Sequence, residues 1–329
     1  MPRNEKKLVT AERLIYSLVQ DINRARHRIS IIAMVFALDE STQPLVDALV
    51  EAAKRGVHVT VAADGYTYAE LSGRFTPSRR NGPRVRSATN LEKRLRAASI
   101  EFHWLGQSSI TFFTGRTHLK WYVVDDIVYS FGGVNPYRDG LSNNDYMLRV
   151  HDAKLADTLD GQYRDIIHAN THGYVHNDQT IHAALGTIYI DGGFKNRSSI
   201  YRRACRLAEQ ASTISFVSQY CPSGKLQRIL TDKQAAMYFN PWERASGFNR
   251  LIIRIGTFFR PVSNLYARAP YLHAKYMLFQ MRDGSKVALT GSHNFYHAGV
   301  LFGTREVALE TQDPEIVALI EKFHNTHVQ

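Results

Sequence analysis

The sequence predicts an α/β fold built twice, each half holding a central β-sheet flanked by helices. Three observations predict it. Helix-like and strand-like patterns alternate through the first half; the second half opens on the same alternation; and each half carries one copy of a short polar pattern, His118-Leu-Lys120 or His273-Ala-Lys275.

The elements follow in order. From Ala11 to Arg26 apolar residues recur at Leu14, Leu18, Ile22 and Ala25, spacings that place them on one helix face. Ile29 to Phe36 is too rich in branched apolar residues for a half-exposed strand, so it reads as a central strand covered on both faces. Leu45, Val46, Leu49, Val50 and Ala53 repeat the helical pattern, Gly56 stops it, and Val57 to Ala62 is the next strand. This alternation predicts a parallel-rich sheet. Arg74 to Arg96 holds eight basic residues against one acid, Glu92, and Pro77, Gly82 and Pro83 make its first part a loop, either solvated or a phosphate-attracting rim. His168 to Gly193 is rich in His, Asn, Gly and Thr and has little periodicity beyond Ile188-Tyr-Ile190, which predicts a connection. Ile200 to Gln210 then reads as helix, and Thr213 to Ser218 and Leu251 to Ile255 as strands. The expected organisation is therefore residues 1–167 and 194–329 as two lobes, joined by 168–193.

Composition narrows the partners. At 329 residues, 44% hydrophobic and 22% charged, the chain has ample material for a core, which excludes a disordered or fibrous protein. Lys and Arg outnumber Asp and Glu by 41 to 30, and the net charge of +11 favours a polyanion: nucleic acid, anionic membrane or phosphorylated substrate. Cys205 and Cys221 are too few for a disulfide framework and lack zinc-ligand spacing, so a reducing compartment is expected. No secretory signal is apparent, and the longest apolar run, Ile29 to Leu38, is about half of the roughly 20 residues that cross a bilayer. Attachment to a membrane surface through basic residues needs charge alone.

The chemistry is carried by the repeated pattern. His118-Leu-Lys120 opens Trp121-Tyr-Val-Val124, which passes through Asp125 and Asp126 into Ile127 to Phe131 and then Gly132-Gly-Val-Asn135. His273-Ala-Lys275 opens Tyr276 to Phe279, which passes through Arg282-Asp-Gly-Ser285 into Lys286 to Thr290 and then Gly291-Ser-His-Asn294. Both read as β-hairpins. His and Lys two apart on a strand share a face, and the glycines let Asn135 approach His118 and Lys120, and Asn294 approach His273 and Lys275. A carboxylate follows each unit, Asp145 before Tyr146 to Val150 and Glu306 before Val307 to Leu309. A phosphodiester resists attack until its anionic oxygens are neutralised, which Lys and Asn donors accomplish without a metal. One imidazole then attacks phosphorus, a second protonates the leaving alcohol and deprotonates the incoming one, and carboxylates orient the rings.

Duplicated H-x-K-x4-D with downstream G-G/S-x-N resembles the phospholipase D superfamily, and among its members the flanking blocks Phe131 to Asn135, Asn144 to Val150, Tyr271 to Lys275 and Arg305 to Ala308 are most similar to bacterial cardiolipin synthases. The resemblance implies a phospholipase D-like fold of two lobes, each a mixed sheet flanked by helices, related by a pseudo-twofold axis around one active site with a phosphohistidine intermediate. It implies His118, Lys120, Asp125, His273 and Lys275 as catalytic residues, Asn135 and Asn294 as phosphate ligands, and Asp145 and Glu306 as orienting groups. The second copy departs from the pattern, with Gln280 where the aspartate belongs and Asp283 as a candidate substitute.

The expected function is phosphatidyl transfer between phospholipids, with His118 as nucleophile and His273 as proton donor. The expected partners are anionic phospholipid and the membrane surface, with a cytoplasmic or inner-face location and neither metal nor organic cofactor. The rivals are a metal-independent nuclease acting on DNA or RNA, and a non-catalytic polyanion-binding protein. Two weaker signals carry less. His168, His172, His176 and His182 lack metal-ligand spacing, and Trp104, Phe112, Phe113, Trp242, Phe258 and Phe259 read as core.

Overall fold

The computed structural model describes residues 5–72, 82–106, 115–245, 250, 254 and 262–329. The chain divides into two compact units: Met1–Ser130, Val134–Ser142 and Tyr146–His176 form the first, and Phe131–Gly133, Asn143–Asp145 and Asn177–Gln329 the second. Two short pieces of the first half of the sequence thus belong to the second unit.

The first unit begins β1 (Lys6–Thr10), α1 (Ala11–Ile22), β2 (Arg28–Ala33), α2 (Gln43–Lys54), β3 (His58–Asp64), α3 (Tyr66–Ser72) and α4 (Pro83–Ala97). It continues β4 (Glu101–Leu105), β5 (Trp121–Val124), β6 (Ile127–Ser130), α5 (Arg138–Leu141), β7 (Tyr146–His151) and α6 (Ala153–His172). Its sheet runs β1-β7-β6-β5-β2-β3-β4. Leu14, Leu18 and Ile22 of α1 and Leu45, Leu49 and Ala52 of α2 pack with Ile29, Ile31, Val59 and Val61 on one face. On α6, Leu155, Leu159, Tyr163 and Ile166 are buried, and the helix packs against β2, β4, β5 and β6. Helices on both faces explain why β2 is buried at every position but its first instead of alternating. Asp152 starts α6 by accepting the N–H of Leu155 at 3.0 Å, and Gly173, with φ 73°, ends it.

The second unit contains β8 (Gln179–Ala183), β9 (Gly186–Gly192), α7 (Ser199–Gln210), β10 (Ala211–Val217), α8 (Gly224–Asp232), β11 (Ala236–Tyr238), β12 (Tyr276–Met281), β13 (Lys286–Gly291), α9 (His297–Phe302), β14 (Arg305–Thr311) and α10 (Pro314–Phe323). Its sheet runs β11-β10-β12-β13-β14-β9-β8. Ile214, Phe216, Met277, Phe279, Val287 and Leu289 pack against the buried side chains of α7 and α8.

The two sheets repeat one pattern. Parallel pairing occurs in β2-β3-β4 and in β10-β11, and the remaining ladders are antiparallel, so each sheet is mixed, not parallel-rich as the alternation suggests. The run β1-β7-β6-β5-β2-β3 matches β9-β14-β13-β12-β10-β11 strand for strand. Residues 168–193, expected as a connection, instead finish α6 and supply β8 and β9. Arg84 to Arg96 lie on α4, whereas Arg74, Arg79 and Arg80 fall outside the described residues, as do Phe112, Phe113, Phe258 and Phe259. Of the expected strand Leu251–Ile255, only Arg254 is described, and it is helical. Among the described residues no helix is long and apolar enough to cross a membrane.

Candidate active site

His118 and Lys120 stand just before β5, and His273 and Lys275 just before β12, so each pair leads into its hairpin without lying in the ladder. All four side chains are buried. Burying an ammonium group is costly unless something demands it, which by itself marks Lys120 and Lys275 as unusual.

In the first unit, Lys120 Nζ donates to the carbonyl of His118 at 2.9 Å, and Ser130 Oγ donates to the carbonyl of Lys120 at 3.1 Å. Tyr122 on β5 reaches back through its hydroxyl to Val134 O at 2.8 Å, fixing the loop after β6. The buried Asn135 in that loop accepts the N–H of Val35 at 3.2 Å, and Pro136 O accepts Ala37 N–H at 3.2 Å. The loop is thereby tied to the end of β2.

The second unit holds the most fully specified group. Asn143–Asp145 runs beside the approach to β12: Asn144 N donates to Tyr271 O at 2.8 Å, and Asn144 O accepts from His273 N and Ala274 N at 3.0 Å each. That pairing brings Asp145 Oδ2 to 2.7 Å from His273 Nδ1. Asp145 follows the first motif in sequence, yet the ring it meets is that of His273. Lys275 Nζ also lies 3.0 Å from His273 Nδ1 and donates to the His273 carbonyl. An ammonium and a carboxylate cannot both bond the same ring nitrogen in one tautomer. The carboxylate is the stronger partner for an N–H donor, so Nδ1 holds its proton toward Asp145, and Nε2 points away from the carboxylate. Burial pulls the Lys275 ammonium down to a pKa of about 8, against the opposing pull of Asp145 and Glu306.

Two neighbours hold the carboxylates. Gly133 N donates to Asp145 Oδ1 at 3.2 Å, and a Cβ there would lie 2.5 Å from Asp145 Oδ2 and 2.8 Å from Lys275 Nζ, so only glycine fits. The glycine thus makes room for Asp145 and Lys275 rather than for Asn135, as the motif suggests. In the matching position Ser292 donates to Glu306 Oε2 at 2.5 Å, while Thr304 Oγ1 donates to Glu306 Oε1 at 3.1 Å. The G-G/S difference between the motifs is the signal that foreshadows Ser292. Asn294 is half-buried in the turn after β13, and its carbonyl accepts Ser218 Oγ at 2.8 Å.

Asp125 stands apart from this chemistry. It occupies the β5-β6 turn and accepts backbone N–H groups of Arg26, His27 and Arg28 at 2.8, 2.9 and 3.0 Å. Partial burial pushes its carboxyl up, but those donors, with His27, hold it below the usual range. Six residues lie between it and His118, about 23 Å of extended chain. It anchors the α1-β2 connection. Gln280 has no such loop to hold, because α7 runs directly into β10; its amide donates instead to Gly284 O at 2.8 Å within its own hairpin. Asp283 accepts from Ser285 N and Oγ and does not replace the missing aspartate. Among the described residues, no group of three or more His, Cys, Asp or Glu side chains is arranged to hold a metal ion.

The family described as cardiolipin synthase, PLD-like domain, matches residues 18–167. Residues 18–167 are a phospholipase D-like domain. Cardiolipin synthase A of Proteus mirabilis is 29% identical over 133 residues, 39% of this chain and 24% of that protein, so the chain spans only about a quarter of that relative's length. Among solved structures, phosphatidylserine synthase of Haemophilus influenzae aligns with a TM-score of 0.73 at 14% identity, covering 98% of this chain and 87% of that one. Polyphosphate kinase of Porphyromonas gingivalis aligns with a TM-score of 0.62 at 11% identity, covering 97% of this chain and 50% of that one. At these identities the structural likeness speaks for the fold, a duplicated phospholipase D-like α/β fold, and the phospholipase D-like domain carries the first of the two motifs.

Proposed function

We propose that the protein is a phosphatidyltransferase of the cardiolipin synthase kind, working through a phosphohistidine intermediate. The observation that carries this reading is the His273–Asp145–Lys275 group: a ring nitrogen pointed by a carboxylate, beside a buried cation suited to a phosphate oxygen. The likeness of the phospholipase D-like domain to cardiolipin synthase, and of the fold to phosphatidylserine synthase, supports a phospholipid as the substrate.

In this reading His118 attacks the phosphorus of a phospholipid such as phosphatidylglycerol. The P–O bond to the head-group alcohol breaks, and His273, protonated on Nε2 with its imidazolium steadied by Asp145, gives its proton to the departing alkoxide. A second lipid hydroxyl then enters, loses its proton to His273 and displaces His118, returning both rings to their starting states. Lys120, Lys275, Asn135 and Asn294 neutralise the phosphate oxygens; Asp145 and Glu306 orient the rings. The basic net charge suits attachment to the inner face of the cell membrane.

The test is incubation of the purified protein in EDTA with phosphatidylglycerol vesicles and, separately, with single- and double-stranded DNA. Lipid turnover that disappears in His118→Asn and in His273→Asn is the expected result. DNA nicking without lipid turnover overturns the lipid assignment and favours the nuclease reading, to which the +11 charge also lends itself. Neither activity, with DNA or vesicles merely bound, favours the non-catalytic rival.

A further inference from the structure

The repeated sheet lets residues of the two units be matched by register. In the first unit, Ile32 of β2 lies opposite Ala62 of β3 and Trp121 of β5. In the second, Val217 of β10 lies opposite Tyr238 of β11 and Tyr276 of β12. Trp121 and Tyr276 each follow a motif histidine by three residues, so Ala62 corresponds to Tyr238 and, two residues on, Asp64 corresponds to Asn240.

Asp64 and Asn240 are both fully buried, and each accepts the backbone N–H of the residue just before a motif histidine. Thr117 N donates to Asp64 Oδ2 at 2.6 Å, and Leu272 N donates to Asn240 Oδ1 at 2.8 Å. Thr117 and Leu272 are themselves fully buried and precede the strands, so these peptide groups need acceptors that the β5 and β12 ladders do not supply. We propose that Asp64 and Asn240 are a duplicated pair of positioning residues, each clamping the backbone of the residue just before one motif histidine.

The two differ in charge because their surroundings differ. Asp64 faces donors: Thr117 N, Tyr66 N at 2.7 Å and Arg116 Nη1 at 2.9 Å, with the other end of that guanidinium on Gly106 O. A carboxylate suits that set. Asn240 faces a mixture, accepting from Leu272 N while its amide donates to Leu272 O at 2.7 Å and Gln219 O at 3.0 Å. A carboxylate there would meet two carbonyl oxygens, so only an amide satisfies the site.

This inference rests on the proposed chemistry of His118 and His273, but its test does not. The experiment compares Asp64→Ala, Asp64→Asn, Asn240→Ala and Asn240→Ser by histidine ring NMR titration and by lipid turnover, at a temperature where circular dichroism shows each variant folded. Asn240→Ala should shift the titration of the His273 ring and leave that of His118, and Asp64→Ala should do the reverse. Turnover should fall about 10- to 100-fold in kcat with little change in KM, as expected when a reacting group is displaced by a fraction of an ångström. Asp64→Asn and Asn240→Ser, which keep an acceptor for the peptide N–H, should retain more activity than the alanine variants and serve where those do not fold. Unmoved ring titrations, or kcat losses that only follow thermal stability, overturn the proposal. If the ring titrations shift as expected but His118→Asn and His273→Asn turn out active, the clamp stands and the catalytic reading fails.

Discussion

His273 Nδ1 lies 2.7 Å from Asp145 Oδ2, although 128 residues separate the two in sequence. The aspartate that follows the first motif serves the histidine of the second. Asp145→Asn keeps an oxygen near the ring but removes the charge that steadies an imidazolium. Lipid turnover should drop by about 10²- to 10⁴-fold, in kcat more than in KM. Steady-state kinetics on vesicles checks this, and a variant as active as the parent would separate Asp145 from the chemistry.

Asp125 and Gln280 occupy the same motif position, and neither should control turnover. Asp125→Ala removes the acceptor for three backbone N–H groups and should cost about 1–3 kcal/mol of stability, leaving kcat close to the parent value at low temperature. Gln280→Asp should change turnover only modestly, because α7 runs directly into β10 with no intervening connection to anchor. Thermal melts paired with kcat measurements decide both, and a catalytic collapse in folded Asp125→Ala would contradict the anchoring role.

The buried Lys275 sets a pH limit. Its pKa is depressed to about 8 chiefly by burial, so the cation proposed to neutralise phosphate is present below that value and is lost as pH rises through it. The profile of kcat/KM in the free enzyme should therefore fall on its basic side near pH 8. A profile that stays flat to pH 10 would exclude a requirement for charged Lys275.

Much of the fold is legible in the sequence, because buried strands write apolar runs and amphipathic helices write period-3.6 patterns directly: α1, β2, α2, β3, α7, β10 and both motif hairpins follow them. The hairpin β8-β9 is not legible. It closes the edge of its sheet, β8 has a partner on one side only and alternates between half-buried and exposed, and His, Thr and Gln suffice there. The residue types of the candidate site are legible from the duplicated motif, whereas their partners are not. Asp145 meets His273 through the pairing of Asn144 with Tyr271 and Ala274, and Asp125 turns toward the α1-β2 connection; both depend on chain paths that spacing does not encode. Asp64 and Asn240 lie outside the motif altogether and emerge only from the strand register.

In the proposed reaction a histidine carries the phosphatidyl group between donor and acceptor. The most direct measurement is rapid-quench mass spectrometry of His273→Asn with a lipid p-nitrophenyl phosphodiester, whose leaving group needs no proton. A phosphatidyl adduct should accumulate on His118, because the variant lacks the base for the second step. Sustained transfer by the parent protein with no adduct on any histidine, in parent or variant, would contradict it.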